Sequence, residues 1–92
     1  MDYEKIIHTL IDPLVEKPEK ILIKELPGGG KKDVTILIVA EDDDCARLIG
    51  KRGSVANALR EAVGILGKAD NSNLRIHLKF ESFEEQKEND AE

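Results

Sequence analysis

The first fifteen residues carry apolar side chains at the spacing of one helix face. These side chains are Tyr3, Ile6, Ile7, Leu10, Ile11 and Leu14. Positions three and four apart lie on the same side of a helix, so the pattern predicts an amphipathic helix that begins at Tyr3. Pro13 has no amide hydrogen, and we expect it to end or kink this helix near Asp12, with one further turn through Val15.

The next part of the chain has strand character. Residues 20–26 and 34–40 are rich in β-branched and aliphatic side chains, and the second run is apolar enough to lie at the centre of a sheet. Three glycines and two lysines, Lys31 and Lys32, stand between the two runs. This composition is typical of a flexible turn, so we expect an antiparallel hairpin with a lysine-bearing loop.

An acidic run at residues 41–44 precedes two helical segments. The first helix is expected over residues 45–49 and the second over residues 54–66. Consecutive carboxylates do not converge on a metal ion without a shaped loop. Capping of the first helix by Asp43 or Asp44 is therefore the plainer interpretation of the acidic run.

The second helix and the segment that follows it have recognisable boundaries. Ser54 stands in the position of an N-cap, and Gly67 stands in that of a C-terminal stop. After a polar turn at residues 70–73, apolar and polar residues alternate, which is the pattern of a half-buried strand. Its apolar members are Leu74, Ile76, Leu78 and Phe80, and Arg75, His77 and Lys79 are expected to face solvent.

The predicted order of elements is α-β-β-α-α-β. Two helices connect the second and third strands, and a right-handed crossover makes these strands parallel. The expected fold is therefore α+β, a three-stranded mixed sheet with helices packed on one face. It occupies residues 1–80 as one domain, whereas residues 81–92 carry six acids and one lysine and are expected to form a disordered acidic tail.

The formal net charge of −5 resides in that tail, because residues 1–80 hold thirteen acids and thirteen bases. Within the domain, four bases fall inside fourteen residues, and no acid occurs among residues 45–60. These bases are Arg47, Lys51, Arg52 and Arg60. A neutral domain with one basic edge can attract a phosphate backbone locally.

Other features exclude several functions and compartments. The single cysteine, Cys45, has no partner for an internal disulfide, and no run approaches the roughly 18 apolar residues of a membrane helix. The N-terminus lacks a signal pattern, so we expect a cytoplasmic protein that does not enter a membrane. No nucleophile triad, metal-ligand spacing or nucleotide-binding phosphate loop occurs. We therefore expect no catalysis, no cofactor and no small-molecule substrate.

The strongest candidate site is the loop Gly50-Lys51-Arg52-Gly53. Its glycines permit close approach of a phosphate backbone, and its two bases supply positive charge. The loop also opens a helix, whose first amides lack internal partners. Two glycines at this spacing equally suit a tight turn between helices. The context favours the binding function, because Ile49 precedes the loop, an amphipathic helix follows it, and strands lie on both sides.

The run Leu48-Ile49-Gly50-Lys51-Arg52-Gly53, followed by Val55 and Leu59-Arg60, resembles the I-G-x-x-G signature of KH domains. The element order is similar to the bacterial type II KH arrangement, and the likeness to the single-domain KhpA family extends over residues 3–80. This resemblance implies that residues 50–53 clamp about four nucleotides of single-stranded RNA. Leu48, Ile49 and Val55 are candidates both for the core and for the apolar floor of an RNA groove.

The resemblance has further implications. It implies self-association as a homodimer and a complex with a larger RNA-binding partner of the KhpB type (also called Jag or EloR). It also implies the role of a global RNA chaperone or regulator in cell shape and peptidoglycan homeostasis. Two features depart from the family pattern: the run Cys45-Ala46-Arg47, where a glycine is common, and the acidic tail. The candidate RNA-binding residues are Gly50, Lys51, Arg52, Gly53, Ile49, Ser54, Arg47, Arg60, Lys31 and Lys32.

Two other functions remain open from the residues alone. Residues 46–63 form two helices with a glycine in the turn, as in a helix-turn-helix DNA reader, although the first helix is short and strands bracket the unit. A protein-interaction module with weak or lost RNA binding also fits a neutral domain, although such a module needs no pair of bases in the loop. An aromatic stacking platform is not expected, because Tyr3, Phe80 and Phe83 are predicted to lie away from the basic edge.

Overall fold

The computed structural model describes residues 2–27, 29–69 and 73–84. Three helices and three strands follow one another in the predicted order. They are α1 (Tyr3–Ile11), β1 (Leu22–Pro27), β2 (Asp33–Ala40), α2 (Asp42–Ile49), α3 (Ser54–Ala69) and β3 (Arg75–Ser82). Short 3-10 turns lie at Asp12–Leu14, Pro18–Lys20 and Lys51–Gly53. No helix within the described ranges is long and apolar enough to cross a membrane.

The three strands form one sheet in the order β1-β2-β3. Strand β2 lies at the centre, antiparallel to β1 and parallel to β3. The hairpin, the parallel pair and the central place of the most apolar strand are all as predicted. The sheet confirms the expected α+β fold, in which α2 and α3 form the crossover between two parallel strands.

The core lies between the helices and one face of the sheet. On the sheet side, alternate residues of β2, namely Ile36, Ile38 and Ala40, are buried together with Leu78 of β3. The helices contribute Tyr3, Ile7, Ile11, Cys45, Leu48, Leu59 and Val63 to the same cluster. Because all three helices pack on this one layer, their apolar stripes fix the position of α2 and α3, and hence of the loop between them.

Helix α1 begins and ends where its sequence indicates. The Asp2 carboxylate accepts a hydrogen bond from the Lys5 amide at 3.1 Å, which satisfies one of the unpaired donors of the first turn. The helix stops at Ile11, and the turn that contains Pro13 continues as a 3-10 helix. Proline cannot donate to the preceding turn, so the α-helical hydrogen bonding ends here.

Both ends of α3 differ from the prediction. Ser54 has helical torsion angles (φ −61°, ψ −41°), so it is already part of the helix and is not its N-cap. Gly67 does not stop the helix, which continues to Ala69. A Cβ atom on Gly67 would lie 2.6 Å from the carbonyl oxygen of Leu74. The glycine is therefore required by the close approach of α3 to the chain that enters β3, and its role is packing.

Neither Asp43 nor Asp44 is the helix cap that the acidic run suggested, because Glu41 holds the N-cap position of α2. Helix α2 begins at Asp42, and Asp44 is buried inside its first turn, with 3% of its surface exposed. Its two carboxylate oxygens accept the amides of Glu16 and Lys17, each at 3.0 Å. Asp44 therefore links the α1–β1 connection (residues 12–21) to α2. The acidic residues at the start of the helix predict a cap, but they do not reveal a partner so far away in the sequence.

The pKa of the Asp44 carboxyl lies below its ordinary value. The hydrogen bond from the Glu16 amide is the main cause, burial opposes it, and the Lys17 amide and the Arg47 guanidinium act in the same direction as the first bond. A salt bridge of 3.1 Å between Lys17 and Glu41 lies beside these bonds and raises the pKa of Lys17. The connection is thus held to α2 by backbone and side-chain bonds together.

Strand β3 includes Glu81 and Ser82, two residues beyond the predicted end of the domain. Both pair in register with the end of β2, opposite Val39 and Ala40. Residues 85–92 of the predicted acidic tail lie outside the described residues, as do residues 70–72 of the predicted turn.

Candidate nucleic-acid interface

Gly50 is required by the packing of α2 against α3. Its φ of +74° lies in the left-handed region, where a side chain is strained. A Cβ atom at this position would also meet the side chain of Val55 and would lie 2.9 Å from the Val55 amide nitrogen. For this first glycine, the tight-turn interpretation is sufficient.

Gly53 differs from Gly50 in its surroundings. Its φ of +77° again favours glycine, but the nearest atom to an added Cβ would be the Asn57 side-chain nitrogen at 4.0 Å. The space above Gly53 is therefore open. A backbone phosphate can approach this position closely without displacing protein atoms.

Lys51 and Arg52 lie between the glycines, and both side chains are exposed. The loop closes as a 3-10 turn in which the Gly53 amide donates to the Gly50 carbonyl at 3.2 Å and the Ser54 amide donates to the Lys51 carbonyl. Arg52 takes up a left-handed conformation (φ 57°, ψ 26°), which is uncommon for a long side chain. The turn thus directs two cations outward at the start of α3.

The apolar neighbours of the loop divide between core and surface. Leu48 is fully buried, and Val55 is partly buried against the same core. Ile49, the last residue of α2, is 38% exposed. Of the three candidates for an apolar floor, Ile49 is the one that the fold leaves accessible, and it lies directly before Gly50, whereas exposed Ser54 lies directly after Gly53.

Arg60 lies two turns along α3 and reaches β3. Its Nε donates to the Leu78 carbonyl at 3.4 Å, and its Nη1 donates to the Asn57 side-chain oxygen at 3.2 Å. Its guanidinium lies 5.5 Å from the centre of the Phe80 ring, within the range of a cation–π contact. The prediction that no aromatic residue lies near the basic edge is therefore wrong for Phe80.

Only some of the contacts of Arg60 could be predicted from the sequence. Asn57 and Arg60 stand three positions apart on one helix, which is a recognisable signal for a local pair. The contact with Phe80 depends on the antiparallel packing of α3 along β3, which places the middle of the helix beside the second half of the strand. The ring belongs to the alternating pattern of β3, so nothing local marks it as part of a site.

Arg47 is occupied by acidic partners away from the loop. Its guanidinium is 2.6 Å from Asp44 and 3.1 Å from Glu16. Arg47 therefore reinforces the connection between residues 12–21 and α2. The structure does not bring its charge together with those of Lys51 and Arg52.

Lys31 and Lys32 lie at the other end of the domain from the loop. The Lys32 carbonyl accepts a hydrogen bond of 2.7 Å from the amide of Arg75, the first residue of β3. Helix α3 runs from the loop towards this end, because Arg60 contacts Leu78 and Gly67 adjoins Leu74. The two lysines and the Gly50–Gly53 loop are therefore separated by the length of α3.

The arrangement suits binding by charge and close approach. Bases at the loop are exposed, the start of a helix lies behind them, and Arg60 continues the positive charge along α3. Within the described ranges, no group of three or more His, Cys, Asp or Glu side chains is arranged to hold a metal ion. The single cysteine, Cys45, is buried.

Comparison with known proteins adds to this geometry. The family model for the KH domain of KhpA/KhpB matches residues 4–78. A protein of Listeria monocytogenes (serovar 1/2a) is 29% identical over 75 residues, which cover 82% of this chain and 96% of the relative. One of Oceanobacillus iheyensis is 34% identical over 73 residues, which cover 79% of this chain and 92% of the relative. Both are named "RNA-binding protein KhpA". A comparison with solved structures found no match.

Proposed function

Because the chain belongs to the KhpA/KhpB KH-domain family, we propose that it binds single-stranded RNA, without catalysis, through the Gly50–Gly53 loop. The observation that carries the proposal is the combination of open space above Gly53 with two exposed bases, Lys51 and Arg52. Glycine at a position with no packing demand, beside exposed cations, is what close contact with a phosphate requires.

A single strand fits this surface better than a duplex. The basic side chains follow one narrow line on the protein, from the loop to Arg60. KH loops of this kind clamp about four nucleotides. Ile49 lies beside the loop as an apolar contact, and Arg60 over Phe80 offers a planar group beside β3. On the exposed face of α3 next to the loop, the Arg60 guanidinium is bonded to Asn57 and to β3. The neighbouring Ala58 and Glu61 do not suit entry into a DNA groove.

The proposal is tested by fluorescence-anisotropy titration of a labelled single-stranded RNA of four nucleotides, with single-stranded and duplex DNA of matched sequence for comparison. We expect binding with a log–log salt slope of about −1.4 to −2.1, as for contact with two or three of the phosphodiester groups of this RNA. The variant with Lys51→Asp and Arg52→Asp should lose this binding while retaining its circular dichroism spectrum.

A matched control removes two exposed lysines elsewhere, with Lys5→Asp and Lys20→Asp. The control has the same net charge as the loop variant, so it reports the effect of charge without the effect of location. Equal loss in both variants would mean that binding is nonspecific. Absence of RNA binding in the unaltered protein would contradict the proposal and favour a protein-interaction module.

The family relationship also supports proposals about partners and physiology. We propose a cytoplasmic protein that acts as a homodimer or together with a KhpB-type RNA-binding protein, as a chaperone or regulator of RNA in cell-shape and peptidoglycan homeostasis. Light scattering coupled to gel filtration tests the dimer. Co-purification with the KhpB-type protein of the same cell, before and after ribonuclease treatment, separates a direct complex from one bridged by RNA.

A further inference from the structure

A second basic surface lies at the far end of α3 from the loop. A cavity of about 310 Å³ opens there between the β1–β2 turn, the end of α3 and the start of β3. Its lining residues are Lys32, Lys68, Asn73, Leu74 and Arg75. Three of these five side chains are cations, and they come from three different elements of the fold.

Backbone contacts fix these elements with respect to one another. The Arg75 amide donates to the Lys32 carbonyl at 2.7 Å, and the Leu74 amide donates to the Gly67 carbonyl at 3.0 Å. The Arg75 guanidinium is held by Asp33 at 2.9 Å. Cations from three elements are thus held around one cavity, with Asp33 beside Arg75.

Lys68 on its own has a plain explanation. A lysine in the last turn of a helix interacts favourably with the helix dipole. The helix dipole does not explain Lys32 and Arg75, because these residues lie outside α3, on the side of the cavity that the sheet forms. Lys68 is exposed and forms no salt bridge within the described part of the chain.

The position of the cavity relates it to the loop. Ser54 and Lys68 stand fourteen residues apart on α3, which is about 21 Å along the helix axis at 1.5 Å per residue. Arg60 lies between them, at the seam of α3 and the edge strand β3. Positive charge therefore recurs at the start, the middle and the end of one helix.

We propose that Lys32, Lys68 and Arg75 bind a phosphate of the same RNA strand, beyond the nucleotides that the Gly50–Gly53 loop holds. The proposal rests on the proposed function and extends it: the loop grips one end of the bound segment, and the strand runs along the α3–β3 seam to the cavity. The preferred substrate is then a single strand longer than four nucleotides, and the second contact is to its backbone, without base specificity.

The test compares a four-nucleotide with a twelve-nucleotide single-stranded RNA by anisotropy titration over a range of salt concentrations. The longer RNA is expected to bind more tightly and with a steeper salt slope, by about 0.7 for each additional phosphate contact. At 0.15 M salt, one such contact corresponds to roughly a fourfold gain in affinity. The unaltered full chain is the reference.

A twelve-nucleotide RNA offers nine overlapping sites of four nucleotides, so part of its gain in affinity is statistical and remains in every variant. The variant with Lys68→Gln and Arg75→Gln should lose the added salt slope and the rest of the gain, and leave binding of the four-nucleotide RNA unchanged. Lys5→Gln with Lys20→Gln is the matched control and should retain the gain. If the cavity variant binds the twelve-nucleotide RNA with unchanged affinity and salt slope, the second contact does not exist.

The two proposals fail in different ways. Loss of all binding on alteration of Lys51 and Arg52, with no effect of Lys68 and Arg75, upholds the loop and overturns the cavity. No RNA binding by the unaltered protein overturns both. Circular dichroism of each variant excludes unfolding as the cause of lost binding. If loss of the contact between Arg75 and Asp33 disturbs the fold, the single variant Lys68→Gln replaces the double variant in the same titration.

Discussion

At Arg52 the backbone adopts a left-handed conformation that disfavours a residue with a long side chain. Such a conformation costs an L-residue about 1–2 kcal/mol, whereas asparagine tolerates it better. Nothing in the packing of the loop requires arginine, whose side chain is exposed. The proposed phosphate contact gives a reason for arginine at this position, since backbone strain is common at binding sites.

Arg52→Asn is expected to raise the free energy of unfolding by about 0.5–1 kcal/mol, because the strain is relieved, and to weaken RNA binding. Lys51→Asn removes the same charge from a residue without positive φ and should weaken binding with no gain in stability. Urea denaturation and anisotropy titration of the two variants give the comparison. Equal stabilities in the two variants would show that Arg52 is not strained.

The two loop glycines should respond differently to alanine. Gly50→Ala combines a left-handed alanine with contact against Val55 and is expected to cost about 3 kcal/mol. Gly53→Ala meets open space and is expected to cost about 1 kcal/mol, from its φ alone. Urea denaturation measures both losses. A loss for Gly53→Ala as large as that for Gly50→Ala would contradict the open space described above Gly53.

Among the elements, α2 depends most on a residue far away in sequence. The buried carboxylate of Asp44 accepts hydrogen bonds from two amides of the connection between α1 and β1, and the Arg47 guanidinium donates a further one to it. Because α2 carries the loop at its end, these bonds stabilise the base on which the loop is built. A helix of eight residues has little stability of its own, so tertiary bonds of this kind decide its position.

Asp44→Asn is expected to lower stability at neutral pH, because the NH2 group that replaces one carboxylate oxygen cannot accept the backbone amide bonded there. The pH dependence follows from the lowered pKa: the contribution of Asp44 is complete above the ordinary value of 3.8 and is lost as pH falls through the lower pKa of the folded state. The stability difference between the unaltered protein and the variant should therefore shrink as the pH is lowered below about 3.8. Urea denaturation from pH 7 to pH 2 measures it.

Asp43→Asn, which alters an exposed carboxyl on the same helix, is the control and should have little effect at pH 7. A difference between Asp44→Asn and the unaltered protein that stays constant across the pH range would exclude a titrating role for Asp44.

The order of elements, the mixed sheet and the loop between α2 and α3 could be predicted, because each depends on a local pattern: alternation in β3, helical spacing in α1, and glycines with bases at residues 50–53. Two of the predictions that failed, those for Gly67 and Asp44, concern residues whose partners lie in another element or connection. Gly67 resembles a helix end, but its neighbour is Leu74, and Asp44 resembles a cap, but its partners are Glu16 and Lys17. No one-dimensional pattern records such pairs.

The distribution of charge over the whole molecule shows the same difference between local patterns and contacts that separate segments make. Counting along the chain grouped Arg47 with Lys51 and Arg52, yet the fold turns Arg47 towards acidic partners. Conversely, Lys32, Lys68 and Arg75 are dispersed over more than forty positions and meet at one cavity. Sequence proximity predicted the position of the loop between α2 and α3, because a loop is local. It did not indicate the cavity, because three elements build it.

The parallel pairing of β2 with β3 also has a consequence for how the protein is made. Its first paired residues, Asp33 and Arg75, are forty-two positions apart, with both α2 and α3 in between. Contacts of such separation form late in folding, because the intervening chain must be closed first. During synthesis, the helices that flank the Gly50–Gly53 loop emerge before the strand on which α3 packs. A nascent chain therefore exposes the basic loop before β3 is present to hold α3 in place, and we expect the proposed RNA binding to reach full affinity only when β3 joins the sheet.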